Sequence, residues 1–129
     1  MASSDVTKAT IFEDGDVTEM ARVQANGADV TNAVVSTIAR KIYDTTGNTL
    51  VGSTTLTVPS TGGGVVFDAL QTDGRWTLDD DGYNFRDRVP AVNFPTPKHI
   101  YRVEYLFTGS GAEKYWLAYE HHTQEIRST

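Results

Sequence analysis

The chain is predicted to be all-β, a β-sandwich of about seven antiparallel strands with Greek-key connections. Three observations carry that expectation. Apolar and polar residues alternate with a period of two in most segments, turn-forming residues recur at near-regular intervals, and helical periodicity is almost absent. With 129 residues and no cysteine, the chain is long enough for one domain whose core needs no disulfide. The expected division is a polar N-terminal arm over residues 1–10 and a single sandwich domain over residues 11–129.

The elements follow in order. Ala2 to Lys8 are small and polar and read as an arm that orders on something outside the domain. Val17, Ala21 and Val23 alternate with Thr18, Arg22 and Gln24, a strand with one buried face. Gln24-Ala-Asn-Gly-Ala is a turn, because Asn-Gly tolerates positive φ. Val34 to Asp44 is β-branched and aromatic, but Arg40 shares the parity of Ile38 and Ile42. Either Arg40 snorkels out of the core or the strand carries a bulge.

Asp44-Thr-Thr-Gly-Asn closes a hairpin into Leu50, Val51 and Thr54–Val58, which Pro59 ends because it lacks an N–H for the ladder. Gly62-Gly-Gly64 is a flexible connector, and Val65 to Leu70 a short apolar strand. Gln71 to Gly82 is polar and reads as a crossover between sheets. Tyr83, Phe85 and Val89 then restore strand periodicity. Pro90 to Pro97 holds three prolines and forms a corner. Tyr101, Val103, Tyr105 and Phe107 lie on one face of the next strand, and Thr108-Gly-Ser-Gly turns it back into Tyr115, Leu117 and Tyr119. Ile100 to Glu120 is the strongest hairpin signal in the chain.

Composition narrows the function classes. Hydrophobic residues make up 39% and charged residues 22%, within the range of a globular chain that buries a core. Eleven Lys and Arg against seventeen Asp and Glu leave a net charge of −6, which argues against nucleic acid, since phosphate binding needs clustered cations. No apolar run reaches the length of a membrane span, and Met-Ala-Ser-Ser-Asp-Val-Thr-Lys lacks a signal-peptide layout. With no thiols to oxidise, the chain is expected to be a soluble product of the cytoplasm.

Residues with chemical potential are few, and no enzyme is expected. His121 and His122 are adjacent on a strand and point to opposite faces, so they do not readily share an ion, and His99 lies on the preceding strand. They read as surface or interface histidines. Asp79-Asp80-Asp81-Gly82 has the composition of a calcium loop without EF-hand spacing or a following bidentate Glu, and reads as a solvated turn. No serine has an elbow context. Neither a metal nor a cofactor is expected. Tyr83 and Tyr115 are core by parity. Trp76, in a polar crossover, and Trp116, on the polar face of its strand, lack a core role and mark a partner surface. The candidate partner contacts are therefore Trp76 and Trp116, with Val6 and Lys8 of the arm, which adds to a neighbour as an extra strand. The alternative use of the tryptophans is glycan stacking in an adhesion module.

Four stretches carry a resemblance: Val65-Val-Phe-Asp-Ala-Leu-Gln-Thr-Asp-Gly-Arg-Trp-Thr, Gly82-Tyr-Asn-Phe-Arg, Phe94-Pro-Thr, and Tyr101-Arg-Val-Glu-Tyr-Leu-Phe-Thr. Together they resemble small structural proteins encoded in tailed-phage and prophage genomes. The layout is similar to the immunoglobulin-like N-terminal domain of phage baseplate upper proteins, with Gly27-Ala-Asp-Val-Thr-Asn-Ala33 before the second strand. The likeness runs from about Val17 to Gln124 and carries over no functional residue. It implies an immunoglobulin-like sandwich that serves as a virion part. Without the long C-terminal extension of a baseplate protein, the expectation moves to a capsid cement or decoration protein, or a head–neck accessory, with a tail or baseplate module as the alternative. Its expected partners are other virion proteins (capsid, neck or tail), with the chain a homo-oligomer or lattice-bound in the particle, and neither nucleic acid nor membrane.

Overall fold

The alternation along Ile100–Gly109 is realised without a break. Tyr101, Val103, Tyr105, Phe107 and Gly109 are buried, and every residue between them is half exposed. The computed structural model describes residues 6–12, 15–25, 27–73 and 81–125. Its strands are β1 (Val6–Phe12), β2 (Val17–Ala21), β3 (Gln24–Ala25), β4 (Ala28–Asp29), β5 (Val35–Asp44), β6 (Thr49–Leu56), β7 (Val66–Gln71), β8 (Tyr83–Val89), β9 (Ile100–Gly109) and β10 (Lys114–Gln124). Short 3-10 turns at Asn32–Val34, Ser60–Gly62 and Ala91–Asn93 are the only helical segments among the described residues. The chain is all-β.

A five-stranded sheet has the order β1-β10-β9-β5-β6, a three-stranded sheet the order β2-β8-β7, and β3-β4 form a small ribbon. All neighbours are antiparallel except β1, which runs parallel to β10. The two larger sheets share one core. Ile38, Ile42, Val103, Tyr105 and Phe107 come from the first, and Val66, Phe85 and Val89 from the second. The Phe85 ring meets Tyr105 at 4.9 Å and Phe107 at 5.5 Å between centroids. Each such aromatic or aliphatic side chain, taken fully out of water, contributes about 1.5–3 kcal/mol.

Several expectations are corrected. Ten strands replace about seven, because the arm and the Gln24–Asp29 turn each supply strands. Val6 and Lys8, assigned to an external arm, lie in β1, with Cα partners Ala118 and Glu120 of the same chain. The segment before Tyr83 does not change sheets, because β7 and β8 are neighbours. The sheet changes fall between β1 and β2, between β2 and β5, between β6 and β7, and at the Pro90 corner.

Gly62-Gly-Gly64 is a turn of defined shape: the Gly64 N–H donates to the Pro59 carbonyl, and a Cβ on Gly64 would lie 2.3 Å from the Thr57 carbonyl oxygen. Gly82 enters β8 at φ +101°, with a built Cβ 2.4 Å from the Gln71 oxygen. Both positions exclude a side chain.

Polar side chains complete the frame. Asn84, 2% exposed, accepts from the Val23 N–H at 2.6 Å and donates to the Val23 and Val30 carbonyls, both at 2.9 Å. This ties the β3-β4 ribbon to β8 and leaves no amide atom of Asn84 unpaired. At the Pro90 corner, the Thr96 N–H donates to the Tyr101 hydroxyl at 3.1 Å.

Candidate partner-binding face

Two places on the molecule hold polar or aromatic groups that the frame alone does not explain: the interior between the sheets, and the outer face of the five-stranded sheet.

The interior first. Arg40 does not snorkel, and β5 does carry an irregularity, at Ser36, but Arg40 lies outside it. Its position on β5 is regular, with register shifts between Ile42 and Tyr43 and between Val35 and Thr37. It points into the core, where Nη1 donates to Asp87 Oδ2 at 2.7 Å. The Tyr105 hydroxyl donates to the same oxygen at 2.7 Å. Asp87 is the Cα partner of Glu19 across β8 and β2, and Glu19 Oε2 lies 2.8 Å from His121 Nε2. The Tyr119 hydroxyl closes the group by donating to the Met20 carbonyl at 2.9 Å. Among the described residues, Arg40 Nε and His121 Nδ1 have no hydrogen-bond partner.

Burial sets the titration of this cluster. Removal from water raises the Glu19 carboxyl above its ordinary range, against the lowering effect of His121 beside it. Burial also raises the Tyr105 and Tyr119 hydroxyls, reinforced by the charges of Asp87 and Glu19. His121 was expected at the surface or an interface. It is instead 2% exposed and faces a carboxylate that is 3% exposed. An acid–base pair so sealed has no access to a substrate in this conformation. His99 Nδ1 pairs with Asp44 Oδ2 at 2.7 Å, and His122 Nε2 with Glu120 Oε1 at 2.7 Å. Asp44 is held below the usual carboxylate range: burial raises it, but the Gly47 N–H and His99 together outweigh that.

The outer face carries the aromatic residue that the sequence singles out. Trp116 is 43% exposed and opposite Leu106 in the β10–β9 register. Parity put it on the polar side of its strand, and it is there. Ala39, Lys41 and Tyr43 continue the same surface on β5, and with Glu104, Leu106 and Trp116 they line a hollow of about 80 Å³. Arg102 Nε and Glu104 Oε2 are 2.5 Å apart, so these two charges beside the tryptophan are paired with each other. At the far end, Tyr43, Leu50, Arg102 and Glu104 border a shallower groove of about 480 Å³. An aromatic centre with paired polar residues around it suits a protein contact that keeps its rim hydrated.

Of the other residues singled out, Val6 and Lys8 lie on β1, directly beside the strand that carries Trp116. Trp76, Asp79 and Asp80 lie outside the described residues. Asp81 Oδ2 is 3.1 Å from Arg22 Nη1. Among the described residues, no three His, Asp or Glu side chains are grouped to hold a metal ion, and no helix is long and apolar enough to cross a membrane.

Sequence reasoning missed the interior cluster, although a signal was present. Glu19 shares the parity of Val17 and Ala21, Arg40 that of Ile38 and Ile42, Asp87 that of Phe85 and Val89, and His121 that of Tyr119. An ionisable residue on the apolar parity of four separate strands is the mark of a polar layer inside a core.

Comparison of the chain with protein-family models, with curated proteins and with solved structures returned no match.

Proposed function

We propose that this chain is a non-enzymatic structural protein of a tailed-phage virion, a capsid cement or decoration protein or a head–neck accessory. It binds neighbouring virion proteins through the outer face of its five-stranded sheet. The single observation that carries the binding surface is Trp116, 43% exposed over a hollow between β10, β9 and β5. A large aromatic held open on a regular strand costs solubility and is repaid when a partner covers it.

The immunoglobulin-like reading of the fold is supported by strand order. β1-β10-β9-β5-β6 against β2-β8-β7 corresponds to A′-G-F-C-C′ against B-E-D, a variable-type arrangement with the first strand moved to the G edge. Tyr101, near the start of the F-equivalent strand, accepts from the backbone five residues upstream, in the manner of a tyrosine corner. The position two residues later is Val103 rather than cysteine. The virion assignment is supported by the phage-like stretches from Val65 to Thr108. The non-enzymatic reading is supported by the sealing of Glu19 and His121.

Mass spectrometry of purified particles tests the proposal, and absence of the protein from them refutes it. Copy number then separates the options: hundreds per particle for decoration, about a dozen for a neck, a handful for a tail or baseplate, as expected from the symmetry of each part. A glycan array, run in parallel, tests the adhesion alternative. Binding abolished by Trp116→Ala, with no protein in the particles, replaces the present reading.

A further inference from the structure

The free edge of the five-stranded sheet is unusual for a soluble protein. β6 ends the sheet order, and its eight residues, Thr-Leu-Val-Gly-Ser-Thr-Thr-Leu, include no charged residue and no proline. One side is hydrogen-bonded to β5. Among the described residues, no other backbone hydrogen bond reaches Thr49–Leu56. Leu50 is 55% and Val51 36% exposed. Natural sheets guard such edges with lysine, proline or a bulge. Here the one irregularity is at Val51 of β6, left between Gly52 and Leu50, which pair with the adjacent Ile42 and Tyr43; it confines the bulge to the start of the strand and leaves Gly52–Leu56 regular. The other edge, β1, carries Lys8.

We infer that β6 is a self-association edge, and that its occupant is β6 of a second copy of this chain, paired antiparallel across a two-fold axis. The inference does not depend on the virion reading. Charge selects the occupant. The chain carries −6 overall, yet a copy-to-copy pairing along β6 sets no like charges against each other. The strand also offers no charge by which a different partner would be read. A two-fold axis normal to the sheet sets one residue opposite its own copy. Centred on the regular stretch, that residue is Thr54, with Ser53 opposite Thr55 and Gly52 opposite Leu56. Cross-strand Thr–Thr and Ser–Thr pairs are favourable in this setting. Each copy offers one such edge, so pairing closes at two. It joins the two five-stranded sheets into one and makes their outer faces, each with its Trp116, continuous.

The purified chain tests this by sedimentation velocity from micromolar to millimolar concentration, with circular dichroism to confirm folding. The wild type is expected to form a dimer. Ser53→Lys/Thr55→Lys and Ser53→Glu/Thr55→Glu place like charges opposite each other, and each is expected to raise the dissociation constant at least ~10-fold. An equimolar mixture of the two restores the dimer as a heterodimer. Thr54→Cys, in a chain without cysteine, forms an intermolecular disulfide on mild oxidation, because directly opposed Cβ atoms ~4.5–5.5 Å apart are near bonding reach. A monomer at all concentrations overturns the inference. So does a dimer that both charge variants leave intact, or one broken by Trp116→Ala instead.

Discussion

Arg40→Met is the sharpest test of the interior. Methionine keeps the length and apolar character of the arginine stem, so the change removes the cation while filling much of its volume. What remains is the Asp87 carboxylate, 6% exposed, with the Tyr105 hydroxyl as its donor at 2.7 Å and Glu19 as its cross-strand neighbour. Breaking a buried pair by removing one partner costs about 3–5 kcal/mol, because the other charge stays in the core uncompensated. For a domain of this size that lowers Tm by roughly 10–20 °C, from an unfolding entropy of about 2.1 cal/mol/K per residue. Removing the second charge as well reverses most of the loss. In Arg40→Met/Asp87→Asn, the amide oxygen still accepts from Tyr105, no net charge is left at the pair, and the residual cost falls to about 1 kcal/mol. Urea denaturation followed by circular dichroism at pH 7 measures both variants. A single mutant less than about 1 kcal/mol below wild type, or a double mutant no better than the single, refutes the account of Asp87 as a carboxylate balanced by Arg40.

Three further outcomes are expected. Glu19 has its carboxyl raised in the folded state from an ordinary value of 4.5, so the fold favours the protonated form; the contribution of this group to stability falls as pH rises from about 4.5 through the raised value. Glu19→Gln removes that slope, and the variant gains on wild type in urea midpoints between pH 4.5 and pH 7; a difference that stays constant, or that moves in favour of wild type as pH rises, contradicts it. Trp116→Ala leaves folding stability within about 1 kcal/mol, since the side chain is partly exposed, but weakens attachment to depleted particles by ~30-fold, a central aromatic contact being worth about 2 kcal/mol; unchanged attachment removes the outer face as the binding surface. Gly82→Ala must bring a Cβ against the Gln71 carbonyl at positive φ and costs at least about 2 kcal/mol in thermal or urea unfolding; a neutral effect means that the β7–β8 connection opens freely.

Local alternation reveals local structure, and here it revealed a good deal. Tyr101, Val103, Tyr105 and Phe107 were legible as one buried face, and Tyr115 and Trp116 as opposite faces of the partner strand, because each inference needed only the neighbouring residues. Partnerships across the sheets were not legible. Arg40 stood out by parity, but its carboxylate is 47 positions away on a strand of the other sheet, a distance that no periodicity spans. His121 and Glu19 are separated by 102 positions. Val6 to Lys8 were misread for a related reason: the polar character of the segment suggests solvent, whereas an edge strand like β1 is held by backbone hydrogen bonds, which make little demand on side-chain type. The change of sheet was placed before Tyr83 because that segment is long, but connection length does not decide which edge a chain crosses.

The cluster of Arg40, Asp87, Tyr105, Glu19 and His121 also bears on how the two sheets find their alignment. Apolar contact is non-directional, and layers of phenylalanine, tyrosine and valine can slide past one another with modest loss. Contacts of 2.7 and 2.8 Å do not slide. A shift of either sheet by one residue pair, ~7 Å along a strand, would leave Asp87 and Glu19 facing aliphatic walls. In the collapsed chain, before the sheets lock, these side chains act as a vernier: of all the offsets that oil-like packing tolerates, they select one.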